Sequence, residues 1–219
     1  MVEREIVEGE PITDAANLIV FMSATLALNL TPGPDMLYII ARSVGQGQRA
    51  GVVSALGIGA GCLAHTCAAA FGLSALLMSS AVAYDLVKYA GAVYLIYLGA
   101  RMLLGKSKLE AQSELEPASL SSVFYQGLVT NVLNPKVALF FLAFLPQFAK
   151  AGNGSIAWQI IFLGFLFNAS GTLVNVVVAL LGGRIGEAFK RRPAFGQAQR
   201  WLTGGVFIAL GMRLAFAKR

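Results

Sequence analysis

Two charged side chains stand where charge is expensive. Asp35 lies in NLTPGPDMLYII (29–40) and Lys136 in NVLNPK (131–136), each within an apolar run long enough to cross a bilayer. An ionised side chain in the middle of a span costs about 2.5–3.5 kcal/mol on insertion scales, so such residues mark function by default. Both follow proline breaks: Pro32, Gly33 and Pro34 precede Asp35, and Asn134 and Pro135 precede Lys136. Proline removes a backbone donor and clashes with the carbonyl four residues back. The freed carbonyls survive in a membrane only against protein or a wet cavity. A half-helix beginning at Pro34 offers free N–H groups, a positive end suited to the carboxylate of Asp35 or of a bound solute. Lys136 needs a partner, and Asp35 is the opposite charge at the corresponding break. The two segments are therefore expected to meet, either as a static salt bridge or as two walls of one site.

Other polar residues have positions that could serve this site. Asn131 and Asn134 flank the second break, where their amides can bind a solute or re-satisfy freed carbonyls. His65, the only histidine, shares a helix face with Gly57 and Gly61, which would let another helix approach closely. It is a packing residue or a proton carrier with a suitable pKa range. Asn168, Thr172 and Asn175 recur on one face, as glue between helices or as a polar wall, with glue slightly favoured. Cys62 and Cys67 fall roughly 140° apart around a helix, which disfavours a shared metal or disulfide and suggests two small buried residues.

The elements that position these groups are apolar blocks at 15–41, 51–79, 82–104, 119–149, 155–181 and 199–217. The chain is 57% hydrophobic and 13% charged, with mean hydropathy +0.69; a water-soluble domain carries about twice that charge. The expected class is an all-α membrane protein of six transmembrane helices. The polar stretch 105–117 divides it into halves, 14–104 and 118–219. An odd number of spans per half makes them inverted three-helix repeats, the first helix of each broken at proline. Residues 1–13 read as a short acidic tail without the basic start of a secretory signal. Arg42, Arg49, Arg101, Lys106, Lys108, Arg184, Lys190, Arg191, Arg192 and Arg200 fall on one side. Arg4, Lys88, Lys150, Arg213, Lys218 and Arg219 fall on the other. The richer side is expected to be cytoplasmic, with linker 105–117 there and both termini outside.

The net charge of +6 implies no nucleic-acid partner. The basic stretch KRRPAFGQAQR (190–200) suits a loop touching anionic lipid headgroups. One histidine and no clustered carboxylates make a divalent-metal site poor, and no cofactor is expected. An intramembrane enzyme would need Asp35 and Asp85 as an aspartyl pair, but Asp85 sits beside Lys88 at a short outer turn. Glycine-rich faces at 57–61 and 182–186 could pack within one chain or between chains of a homo-oligomer.

The stretch from TPGPDMLYII through GIGAGCLAHT resembles the first signature of the bacterial lysine exporter/homoserine-resistance (LysE/RhtB) family. NVLNPKVALFFLAFLPQF resembles its second. The resemblance covers roughly residues 14 to 217 and includes the six-block layout. It implies proton-driven amino-acid export across the bacterial inner membrane, with amino acids, protons and lipid as partners. It points to Pro32, Gly33, Pro34, Asp35, Asn134, Pro135 and Lys136, and leaves the amino acid open. Export of another small solute is the alternative.

Overall fold

A computed structural model describes residues 15–73, 81–104, 116–149, 154–191 and 193–216, and among these every regular element is a helix. The tail 1–13 and most of the linker 105–117 lie outside the described residues. The first apolar block forms α1 (Ala15–Leu30) and α2 (Pro34–Gln46), bent by 47° at Thr31-Pro32-Gly33. Next come α3 (Gln48–Ala68), which runs on through a π turn at Ala69–Leu73, and α4 (Ala81–Leu104). The fourth block forms α5 (Leu120–Val132) and α6 (Pro135–Leu139), bent by 46° and continued by π and 3-10 turns through Phe148. α7 (Ile156–Arg191) and α8 (Pro193–Phe216) complete the chain. Gln48–Gly72 and Ile156–Gly182 are each long and apolar enough to cross a membrane, and each bent pair qualifies when taken as one span.

Both breaks have the same grammar. Proline at the first helical position is pre-shaped for a helix and needs no N–H bond there, so Pro34 and Pro135 each start a new segment rather than merely kinking an old one. The segments differ in their caps. Asn134 Oδ1 accepts from the Lys136 N–H at 3.0 Å, whereas Gly33 supplies no side chain to α2.

Contacts between the halves follow a crossed pattern: α3 packs on α5 and α7, α2 on α7, and α4 on α8. Glycines allow the closest of these. A Cβ on Gly57 would stand 2.1 Å from the Phe124 carbonyl, and one on Gly61 2.6 Å from that of Leu128. Gly127 answers from α5, 2.7 Å from the Ser54 carbonyl. The Gly57–Gly61 face and Gly182, which abuts Ser43, are thus used within the chain. The largest buried cluster is aromatic, with Phe21, Phe140, Phe141, Phe144, Phe148, Phe167 and Phe207. Its ring pairs contribute about 0.5–1.5 kcal/mol each beyond burial. Large apolar side chains also face outward: Phe71, Val82, Leu86, Val93, Phe165 and Leu173 are 62% to 73% exposed. Such a surface suits hydrocarbon, not water.

Several expectations need correction. α7 runs to Arg191, ten residues beyond the expected block, and α8 begins at Pro193. KRRPAFGQAQR is therefore two helix ends with one residue between them, not a loop. α2 runs to Gln46, which puts Arg42 inside a helix and buries it. Lys88 is buried two turns inside α4, 3.7 Å from Asp85, and is no loop residue. Cys62 is buried but Cys67 is exposed, because the rotation that separates them carries Cys67 to the outer face of α3.

Candidate functional site

The two proline breaks meet beside a cavity of about 30 Å³. Both charged residues line it: Asp35 from the first turn of α2 and Lys136 from the first turn of α6. They do not pair. No Asp35–Lys136 ion pair within 4 Å is present, so the static salt bridge is replaced by another arrangement. Lys136 Nζ donates to the Leu28 carbonyl at 3.2 Å and the Thr31 carbonyl at 3.0 Å. These carbonyls lie at and just past the end of α1, where the Leu28 carbonyl also accepts from the Thr31 N–H at 3.1 Å, and an ammonium there complements the negative dipole end. Gly33 makes room for it: a Cβ there would stand 3.3 Å from Nζ.

Asp35 Oδ2 accepts from Asn131 Nδ2 at 2.8 Å. This charge-assisted bond joins the first half to the second and contributes about 1.5–3 kcal/mol. Asp35 Oδ1 and Asn131 Oδ1 are buried and have no partner. Two orphaned acceptors side by side call for a donor such as an ammonium, a hydroxyl or a water. The N-terminus of α2, lacking a side-chain cap, adds unclaimed N–H donors next to them.

His65 does not line the cavity. Its ring stacks on Phe141 at 5.9 Å, and Nε2 donates to the Asn131 carbonyl at 3.0 Å. His65 thus reaches Asp35 through one residue, whose carbonyl serves the imidazole and whose amide serves the carboxylate. Gly57 and Gly61 below it bring α3 close enough to α5 for this bond.

Asn168, Thr172 and Asn175 all line the cavity from α7. Thr172 Oγ1 donates to Asn168 Oδ1 at 3.3 Å, so two of them also bond to each other. Opposite them α3 presents Gly59, so Asn168 and Thr172 border both the cavity and a close α3–α7 contact. A Cβ on Gly59 would lie 2.9 Å from Thr172 Oγ1. Asn134, Pro32, Gly33, Pro34 and Pro135 shape the breaks and do not face the cavity. Asn134 instead holds α6 through its cap on Lys136 N.

The sequence reading missed Asn29, Gly59 and Gly171. Asn29 lines the cavity and bonds to Ser170 Oγ at 3.2 Å, with Gly171 beside it. Its nearness to the Thr31 break was the available signal. Gly59 and Gly171 carried none, since glycine is common in membrane helices. Met36, Ile58, Val137 and Phe167 close the apolar part of the wall. Asp85 is bound to Lys88 and lines no part of it, so no aspartyl pair is assembled. Among the described residues no three His, Cys, Asp or Glu side chains group as a metal site.

Comparison with known proteins follows the same breaks. The chain is 28% identical to the homoserine/homoserine lactone efflux protein of Salmonella typhimurium, over 90% of this chain and 95% of that protein. It is 24% identical to the leucine efflux protein of Klebsiella pneumoniae, over 91% and 94%. An uncharacterised membrane protein of Bacillus subtilis is 28% identical, over 90% and 97%. No solved structure matches the chain. The profile of the LysE type translocators matches residues 26–218, nearly the whole chain and both proline breaks, and the protein is a member of that family, a transporter rather than an enzyme.

Proposed function

We propose that this protein exports amino acids across the bacterial inner membrane by proton antiport. The observation that carries the reading is the central cavity, where an acid and a base from two broken helices face one space without pairing. A zwitterion complements it. Its ammonium suits Asp35 Oδ1 and Asn131 Oδ1; its carboxylate suits the open N-terminus of α2 and the remaining N–H of Lys136. The efflux of leucine and homoserine named for two relatives supports an amino-acid cargo.

The architecture in this reading is six spans in two inverted repeats, with linker 105–117 cytoplasmic and both termini outside. Its support is the crossed pairing of helices, in which each half packs chiefly on the other. A cavity of about 30 Å³ holds about two waters. We take it as an occluded state, which opens when the halves rock against each other. Asp35 carries the exchanged proton, and His65 senses it through Asn131.

Asp35→Asn in proteoliposomes tests the coupling. The variant is expected to bind and exchange amino acids but to lose stimulation by a proton gradient. Gradient-driven flux at the wild-type rate would remove Asp35 from the coupling role.

A further inference from the structure

The face of α2 that meets α5 carries Asp35, Tyr38, Arg42 and Gln46, spaced by three and four residues. Each bonds across to the second half. Above the Asp35–Asn131 bond, the Tyr38 hydroxyl donates to the Val123 carbonyl at 2.9 Å. Arg42 Nη2 donates to Gln126 Oε1 at 2.6 Å, and Nη1 to the Glu116 carbonyl at 2.9 Å and to Gln46 Oε1. Gln46 Nε2 donates to the Ala118 carbonyl at 2.9 Å. The row runs from the cavity to the end of the bundle where residues 116–118 lie, and it closes the seam between α2 and α5.

Arg42 differs from its neighbours in this row. It is only 3% exposed, yet all its acceptors are neutral and its Nε has no partner. No carboxylate of the described residues lies within ion-pair distance of it, Glu116 meeting it only through the backbone. A buried guanidinium is ordinarily paired with an acid, because neutral acceptors recover only part of its lost hydration. Arg42 itself does not line the groove of about 430 Å³ that runs past Tyr38, Ser122, Tyr125, Gln126, Val129 and Thr130, and Gln126 stands between the two. Two of these residues are its own contacts: Gln126 accepts from it, and its guanidinium carbon lies 5.6 Å from the Tyr38 ring centroid.

We propose that Arg42 is a second binding site, a docking point for the carboxylate of the solute between the bundle end and the central cavity. A carboxylate there takes Nε and Nη2 as a forked pair. Gln126 is released, the Arg42–Gln126 link across the seam is broken, and the way to Asp35 and Lys136 opens. The purpose assigned to the site rests on the transport reading, but its carboxylate binding can be measured without transport.

The test uses purified full-length protein in detergent and butyrate, a carboxylate without an ammonium. Butyrate is expected to raise the unfolding temperature saturably in the wild type and in Lys136→Met, and to have no such effect in Arg42→Gln. Arg42→Lys keeps the charge but not the fork, and should need at least about tenfold more butyrate for half-saturation. It also serves if Arg42→Gln does not fold. Equal butyrate response in wild type and both Arg42 variants, or loss of response in Lys136→Met alone, overturns the proposal. So does a wild type that gives no saturable response. Butanamide, which lacks the charge, should give no shift in any variant; an equal shift would show that Arg42 does not read a carboxylate. Counterflow of labelled leucine and homoserine in proteoliposomes is read separately. If neither is exchanged while the butyrate response stands, the transport reading fails and the Arg42 site survives.

Discussion

Asn131 carries more of the site than its neutral amide suggests. One residue holds Asp35 through Nδ2, receives His65 at its carbonyl and leaves Oδ1 facing the cavity side. Asn131→Leu would leave the buried Asp35 carboxylate without its donor. We expect a loss of about 2–3 kcal/mol in stability, read by thermal unfolding in detergent, with exchange abolished. The exchanged pair Asp35→Asn with Asn131→Asp should recover most of that stability, since one donor and one acceptor again face each other. It should not recover gradient-driven flux, because the charge has left the N-terminus of α2. Recovery of both would mean that only the bond matters, not the position of the proton.

Among the elements, the α3–α5 contact is the most constrained, since backbone meets backbone there. Gly57→Ala puts a methyl 2.1 Å from the Phe124 carbonyl, which no rotamer can relieve. The expected loss is about 1–3 kcal/mol, with weakened exchange because α5 carries Asn131. Gly45→Ala in α2 is the control, with nothing within 4 Å of the new methyl; it should be neutral or gain about 0.5–1 kcal/mol from helix propensity. Similar unfolding temperatures for the two variants would contradict the close approach.

For the whole molecule, the crossed pairing makes each half incomplete alone. α3 and α4 find their main partners in α5 and α8, and α2 packs on α7 nearly as much as on its own neighbour α3. Residues 1–110 and 111–219, produced as separate chains, should be degraded singly and stable together. Copurification through a tag on one half measures this, and a first half that is stable and monodisperse alone would argue against it. The same pairing explains how two charges a hundred residues apart come to one cavity. A membrane offers little hydrophobic drive between helices, so the approach depends on small residues and polar bonds.

The breaks, their charged residues and the membrane class were legible in the residues themselves. Proline's missing N–H and the cost of charge in hydrocarbon act locally, wherever the chain folds. Helix ends were less legible: α2 outran its apolar block because Arg42 finds neutral acceptors remote in sequence, and α7 ran on through a polar stretch to Arg191. Only the tertiary structure decided who pairs with whom. Asp35 went to Asn131 rather than Lys136, and Lys136 went to the carbonyls at the end of α1. That choice rests on helix ends brought together in space, where dipoles and orphaned backbone groups compete with side chains for each charge, and no spacing along the chain encodes it.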